Sequence, residues 1–285
     1  MIQSMTGFGK HVIQLPKKKI TIEIKSLNSK SLDLNARMPS AYKEKELQLR
    51  KTIASALIRG KVDFGLYVEN TADAPSAIIN EPIVKQYIAQ LNAISSTDAA
   101  SLLEIAMRMP DVMKTEREDI DEEEFLAIEN ALQIALKEII NFRTAEGNVL
   151  ENDFTARITT ISTLLEEVKK LDGDRLATIR ERLEKAVEDL EANLDTNRFE
   201  QELIYYLEKY DITEEKVRLA NHLDYFLKTI ETHDSNGKKL GFICQEIGRE
   251  INTIGSKANF APLQQVVVQM KDELEKIKEQ MLNVL

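Results

Sequence analysis

Apolar and polar residues alternate in several short stretches near the start of the chain. Ile20, Ile22 and Ile24 are interleaved with Thr21, Glu23 and Lys25, the signature of a strand with one buried face. Leu32, Leu34 and Ala36 repeat the pattern within Ser31–Met38, so a hairpin across Asn28–Lys30 is expected. Pro39 and Ser40 open a helix over about residues 41–58, with Leu47, Ile53, Ala54 and Leu57 at apolar spacing and Gly60 as its stop. Val62, Phe64, Leu66 and Val68 then alternate again. Residues 1–75 are therefore expected to form an antiparallel sheet covered by a helix.

Beyond a loop at 71–80, the apolar spacing changes to every third or fourth position and stays so. Helices are expected over 81–94 and 99–107, the latter ended by Pro110. Residues 122–170 continue the pattern without a proline, which suggests an extended arm or an antiparallel hairpin. Leu171-Asp172-Gly173 is the expected break before a second arm over 175–193. Helices then fit 199–209, 213–232, 239–254 and 262–283. The expected class is α+β: the N-terminal domain, a helical region with long arms (76–197), and a helical C-terminal domain (198–285).

With 285 residues, 43% of them apolar and 30% charged, the chain has the make-up of a globular protein with a substantial core. No apolar run reaches the ~18 residues of a membrane span. MIQSMTGFGK lacks the apolar stretch of a secretory signal, and the single cysteine, Cys244, can form no disulfide within the chain. These features point to the cytoplasm. The net charge of −10 hides an asymmetry, for residues 1–70 hold 13 Lys and Arg against 6 Asp and Glu, leaving 25 against 42 for the rest. A local basic patch can bind an anionic partner whatever the total charge.

The chain has no GxxxxGK[ST] loop, no GxGxxG after a strand, no HExxH and no GxSxG. Three histidines, His11, His222 and His233, leave carboxylates as the main candidate ligands, which favours Mg²⁺ or Mn²⁺ over Zn²⁺. The densest polar constellation lies in 198–257. Arg218 and His222 are four apart on one expected helix, with Glu214 and Glu215 a turn earlier. On the next, Glu246, Glu250 and Lys257 lie beside Gln245, Arg249, Asn252 and Ser256, opposite an apolar face of Leu240, Ile243, Ile247, Ile251 and Ile254. Carboxylates four apart repel unless a cation sits between them. Spacing alone leaves a second reading open, a simply solvated face with His222 as a structural hydrogen-bonding residue. Cys244 reads as a small buried hydrophobe.

Several segments resemble the YicC/YloC family. They are SMTGFGK (Ser4–Lys10), SLNSKSLDLNARMP (Ser26–Pro39), RGKVDF (Arg59–Phe64), RFEQELIYYLEKYDITEEKVRLANH (Arg198–His222), GKKLGFICQEIGREINTIGSKAN (Gly237–Asn259) and VVVQMKDELEKIKEQMLN (Val266–Asn283). The resemblance implies a bacterial endoribonuclease that depends on a divalent metal and works as a homo-oligomer, with a hexamer favoured. Four positions depart from the family pattern: Lys30 and Lys238 replace arginines, Gly241 an aspartate and Gly248 an asparagine.

Residues and resemblance together give a set of expected roles. Glu246 and Glu250, helped by Glu202 or Glu215, would hold Mn²⁺ or Mg²⁺. Arg249, Arg218 and Lys257 would stabilise charge on the phosphate, and His222 would transfer a proton or ligate the metal through nitrogen. The expected catalytic set is His222, Arg249, Glu250 and Lys257. The RNA would be bound by Arg59, Lys61, Arg218, Lys238, Lys239 and Asn252. The rival reading is a non-catalytic RNA-binding adaptor that recruits other nucleases.

Overall fold

The computed structural model describes residues 2–71, 78–95, 98–114, 121–188, 196–232 and 236–285. The alternating segments form a four-stranded sheet of order β1-β2-β4-β3: β1 (Gly7–Gln14), β2 (Lys18–Leu27), β3 (Leu32–Arg37) and β4 (Gly60–Asn70). β2 lies between β1 and β4, antiparallel to both, and Ile20, Ile22 and Ile24 face Val68, Leu66 and Phe64 across its second ladder. The expected hairpin across Asn28–Lys30 does not form. β3 instead pairs parallel to β4 as an edge strand, from Leu32 opposite Gly60 to Arg37 opposite Gly65. A parallel pair needs a crossover connection, and here a 3₁₀ turn (Ser40–Lys45) and α1 (Glu46–Ala56) supply it. Leu49, Ile53 and Leu57 face the core, whereas Leu47 is exposed, so the buried stripe of α1 runs through Leu49.

A single helix, α4 (Glu122–Glu188), runs for 67 residues, about 100 Å at 1.5 Å per residue. Its first half lays Phe125, Ile128, Leu132, Leu136 and Ile139 against the sheet. Farther along, Leu150, Phe154, Ile158, Ile161, Leu165 and Val168 join the C-terminal core. The break expected at Leu171–Gly173 is absent because Asp172 and Arg175 continue the inward-facing stripe and are buried there. Arg175 Nε donates to Asp172 Oδ1 at 2.9 Å, its Nη2 donates to the Tyr210 carbonyl at 2.9 Å, and Lys216 Nζ reaches Asp172 Oδ2 at 2.6 Å. These bonds tie the helix down on either side of Gly173, which stays within it and where a Cβ would meet nothing within 4 Å.

Helices α2 (Glu81–Ile94) and α3 (Ala99–Ala106), with a small ribbon of β5 (Ile78–Ile79) and β6 (Met113–Lys114), bury Val84, Ala106 and Val112 in a satellite core. The Asp98 carboxylate caps α3 by accepting from the amides of Ala100 and Ser101. The C-terminal part is α5 (Thr196–Lys209), α6 (Thr213–Ile230), α7 (Gly237–Lys257) and α8 (Ala261–Met281).

The chain termini meet. Ser4 bridges to Val284, the Met5 amide donates to the Asn283 carbonyl, and the Leu285 amide donates to Gln3. The segment SMTGFGK thereby becomes a strap pressed onto α4. A Cβ on Gly9 would stand 2.2 Å from the Ala135 carbonyl oxygen, so glycine is required by close approach. Arg143 of α4 is buried beneath the strap, and its Nη2 donates to the Met5 carbonyl, the Ser26 hydroxyl and the Arg59 carbonyl. Burial pushes this guanidinium below its ordinary pKa. Among the described residues, no helix is long and apolar enough to cross a membrane.

Candidate metal and RNA site on the α6–α7 seam

The two helices of the seam are amphipathic in the way their sequences predict. α7 buries Leu240, Ile243, Ile247, Ile251 and Ile254, and α6 buries Leu219, Leu223, Phe226 and Ile230. Both polar faces meet at the edge of that core. One ligand atom each from His222, Glu246 and Glu250 lie within 4.8 Å of one another. Glu250 is only 5% exposed, His222 is half-buried and Glu246 is open to solvent.

Among the described residues, none forms a hydrogen bond or ion pair with any of the three side chains. Two carboxylates one turn apart, one of them buried, are thus held beside an imidazole with no described basic side chain paired to them. Such an arrangement is costly unless a proton or metal ion supplies positive charge. Two oxygen ligands and one nitrogen ligand suit Mn²⁺, and Mg²⁺ less fully because of the imidazole. The donor set therefore fits a divalent cation.

Glu215 and Lys257 lie elsewhere on the same seam. Each is seven residues from its counterpart in the trio, Glu215 from His222 and Lys257 from Glu250, which is two turns or about 10 Å. Lys257 Nζ lies 2.7 Å from Glu215 Oε1 and donates to the Asp211 carbonyl at 2.9 Å. Glu215 is buried, and its Oε2 has no hydrogen-bond partner. Asp211 precedes α6, where its Oδ1 accepts from the hydroxyl and amide of Thr213. The Thr213 hydroxyl bond chiefly holds its carboxyl below the usual range, helped by its amide bond and by the charges of Lys216 and Lys257. The structure places Lys257 in an ion pair with Glu215 and brings neither into the ligand trio. The side chain of Glu202 lies outside the described residues.

The expected RNA-binding residues divide into two groups. Lys238, Lys239 and Asn252 are exposed on α7, as is Arg249 of the expected catalytic set. Arg249 forms no ion pair among the described residues. Arg218 is exposed and paired with Glu214 at 2.5 Å. In the N-terminal domain Lys61 is exposed on β4, opposite Asp33 of β3. Arg59 is occupied internally: its Nη2 donates to the Val284 carbonyl at 2.9 Å, and its Nε approaches Met5 Sδ at 3.3 Å. It ties the start of β4 to the C-terminal tail.

Sequence reasoning missed Asp172, Arg175 and Arg143. The signal was present, because Ile161, Leu165, Val168, Asp172 and Arg175 follow one another at steps of four and three. Charged residues at the apolar positions of a helical stripe mark a buried ion pair. Arg143 likewise follows Leu136 and Ile139 on its stripe.

Comparison with known proteins divides the chain within α4. Residues 2–152 match the family profile described as "Endoribonuclease YicC-like, N-terminal region", and residues 168–285 match "Endoribonuclease YicC-like, C-terminal". A protein of Clostridioides difficile (strain 630) named "Probable endoribonuclease YicC" is 33% identical over the full length of both chains. A protein of the same name from Haemophilus influenzae (strain ATCC 51907 / DSM 11121 / KW20 / Rd) is 30% identical, again over the whole of both.

Proposed function

The chain belongs to the YicC-like endoribonuclease family, and from that premise we propose that it hydrolyses RNA phosphodiester bonds at the α6–α7 seam in the bacterial cytoplasm, as part of RNA turnover. The observation that carries the reading is the convergence of His222, Glu246 and Glu250 with no ion-pair partner among the described residues. These three side chains would hold Mn²⁺ or Mg²⁺. A divalent cation there supplies Lewis-acid polarisation of the phosphate and a water more acidic than bulk.

The protein's own groups do the rest. Exposed Arg249, one turn beyond Glu246 on α7, meets the charge that grows on the phosphate oxygens. Lys238 and Lys239 neutralise flanking phosphates, and Lys61 offers a further contact on the sheet. Attack by the RNA's own 2′-hydroxyl is commonly served by a pair of proton-transfer groups such as two histidines, and the described seam holds only His222. Attack by water fits a carboxylate-rich site better and leaves a monophosphate end. A cut-site nucleotide lacking its 2′-hydroxyl would then still be cleaved, whereas a 2′,3′-cyclic end on the product would contradict water attack.

The working unit is a homo-oligomer, with a hexamer the favoured form. α4 supports this by exposing Leu126, Ile134, Phe142 and Val149 along its length. The test of the function is incubation of purified protein with labelled structured RNA, with Mn²⁺ and with EDTA. Internal cuts that appear with Mn²⁺ and vanish with EDTA support it. Binding without cutting under both conditions favours the adaptor reading.

A further inference from the structure

One turn from the ligand trio, towards the loop joining α6 and α7, two aromatic side chains stand in solvent. Tyr225 is three residues beyond His222 on α6 and 47% exposed; Phe242 is four residues before Glu246 on α7 and 56% exposed. Neither belongs to a buried cluster. Lys239 joins them, because its ammonium lies 4.9 Å from the centre of the Tyr225 ring. It also precedes Phe242 by three residues on the same helical face. Lys239, Phe242 and Glu246, at steps of three and four, therefore form one stripe that runs from the lysine beside Tyr225, past Phe242, to the carboxylates.

Leaving a tyrosine and a phenylalanine in water forgoes the burial such rings normally gain. Here a lysine accompanies them and a second, Lys238, is adjacent. A partner that combines flat apolar faces with a regular negative charge matches this chemistry, and single-stranded RNA has both. We infer that Tyr225 and Phe242 form a stacking platform for an unpaired nucleobase next to the scissile phosphate, with Lys239 on the adjoining phosphate. The inference rests on the endoribonuclease reading for its substrate and adds what that reading lacks, a means of positioning the strand. Stacking tolerates any base, so the platform selects unpaired over paired nucleotides and does not select sequence.

The test is a fluorescence titration of the full chain, in EDTA, with a single-stranded oligoribonucleotide that carries 2-aminopurine. Tyr225→Ala and Phe242→Ala should each weaken binding roughly 5- to 150-fold, the weight of one base stack. Both should lose the emission change that stacking produces. Tyr225→Phe and Phe242→Tyr should retain both. Phe242→Ala should act equally at all salt concentrations, whereas Lys239→Ala should flatten the salt dependence by about 0.7 in log–log slope.

Alanine variants that bind as tightly as the wild type would overturn the platform. So would a fall in the mass of those variants by light scattering with RNA affinity unchanged, which would assign the patch to contacts between copies of this chain. The two readings fail separately. If the alanine variants lose RNA binding but the wild type never cuts with Mn²⁺, the platform stands and the nuclease falls. If the wild type cuts and the alanine variants bind normally, only the platform falls.

Discussion

Lys257 and Glu215 close the far end of the α6–α7 seam with an ion pair of 2.7 Å. The pair is buried on the Glu215 side, where Oε2 already lacks a partner. Removing the lysine would leave a carboxylate in the core with no compensation. Lys257→Ala is therefore expected to destabilise the fold by roughly 3 kcal/mol, in the range for breaking a buried pair. Lys257→Met combined with Glu215→Leu should recover much of that loss. Urea unfolding of the wild type and the two variants checks this, and a Lys257→Ala protein of wild-type stability but no activity would instead return Lys257 to the chemistry.

Gly9 and Gly241 should respond oppositely to alanine. A Cβ on Gly9 meets the Ala135 carbonyl at 2.2 Å, so strap and helix must part. At Gly241, inside α7, a Cβ meets nothing within 4 Å. Gly241→Ala should stabilise by about 0.5–1 kcal/mol through helix propensity, whereas Gly9→Ala should lower the melting temperature. Thermal unfolding of both variants reads the two signs directly.

Cys244 is buried on α7, and desolvation pushes its thiol up to about 12 despite the nearby Lys278 charge. The thiolate is the reactive form. At pH 8 the native protein should react with an alkylating reagent only at the rate of unfolding, and promptly in urea. Fast labelling of the native chain would mean that α7 is open at this point.

The exposed apolar side chains of α4 predict association. Light scattering at micromolar concentration should give a multiple of 32.4 kDa. A charged substitution such as Phe142→Glu, at a position half-exposed in the single chain, should reduce that mass. A monomeric wild type would remove the oligomer from the account.

Much of this molecule was legible where one element decides its own pattern. β2, β4, α7 and α8 declared themselves because each buries one regular face. Strand pairing was not legible, because β4 rather than β3 takes the place beside β2 only once α1 has carried the chain across the sheet. β1 was missed because its glycines serve contact with α4, which erases the alternation. The continuity of α4 was hidden by Gly173, since the bonds from Arg175 to Tyr210 and from Lys216 to Asp172 are tertiary. At the site, spacing within each helix picked out His222, Glu246 and Glu250. It could not say which residues of α6 face which of α7. That pairing separates the trio from the Glu215–Lys257 pair.

On the proposed reading, His222, Glu246 and Glu250 bind the metal that cleavage needs. Calorimetric titration of Mn²⁺ into wild type and Glu250→Gln, with RNA cleavage measured on the same samples, checks this assignment. The wild type should bind one Mn²⁺ per chain. In the variant, affinity should fall by more than the roughly 10- to 100-fold that loss of an outer-shell partner costs, and cleavage should cease while the fold persists. A Glu250→Gln protein that binds Mn²⁺ and cuts RNA like the wild type would contradict it.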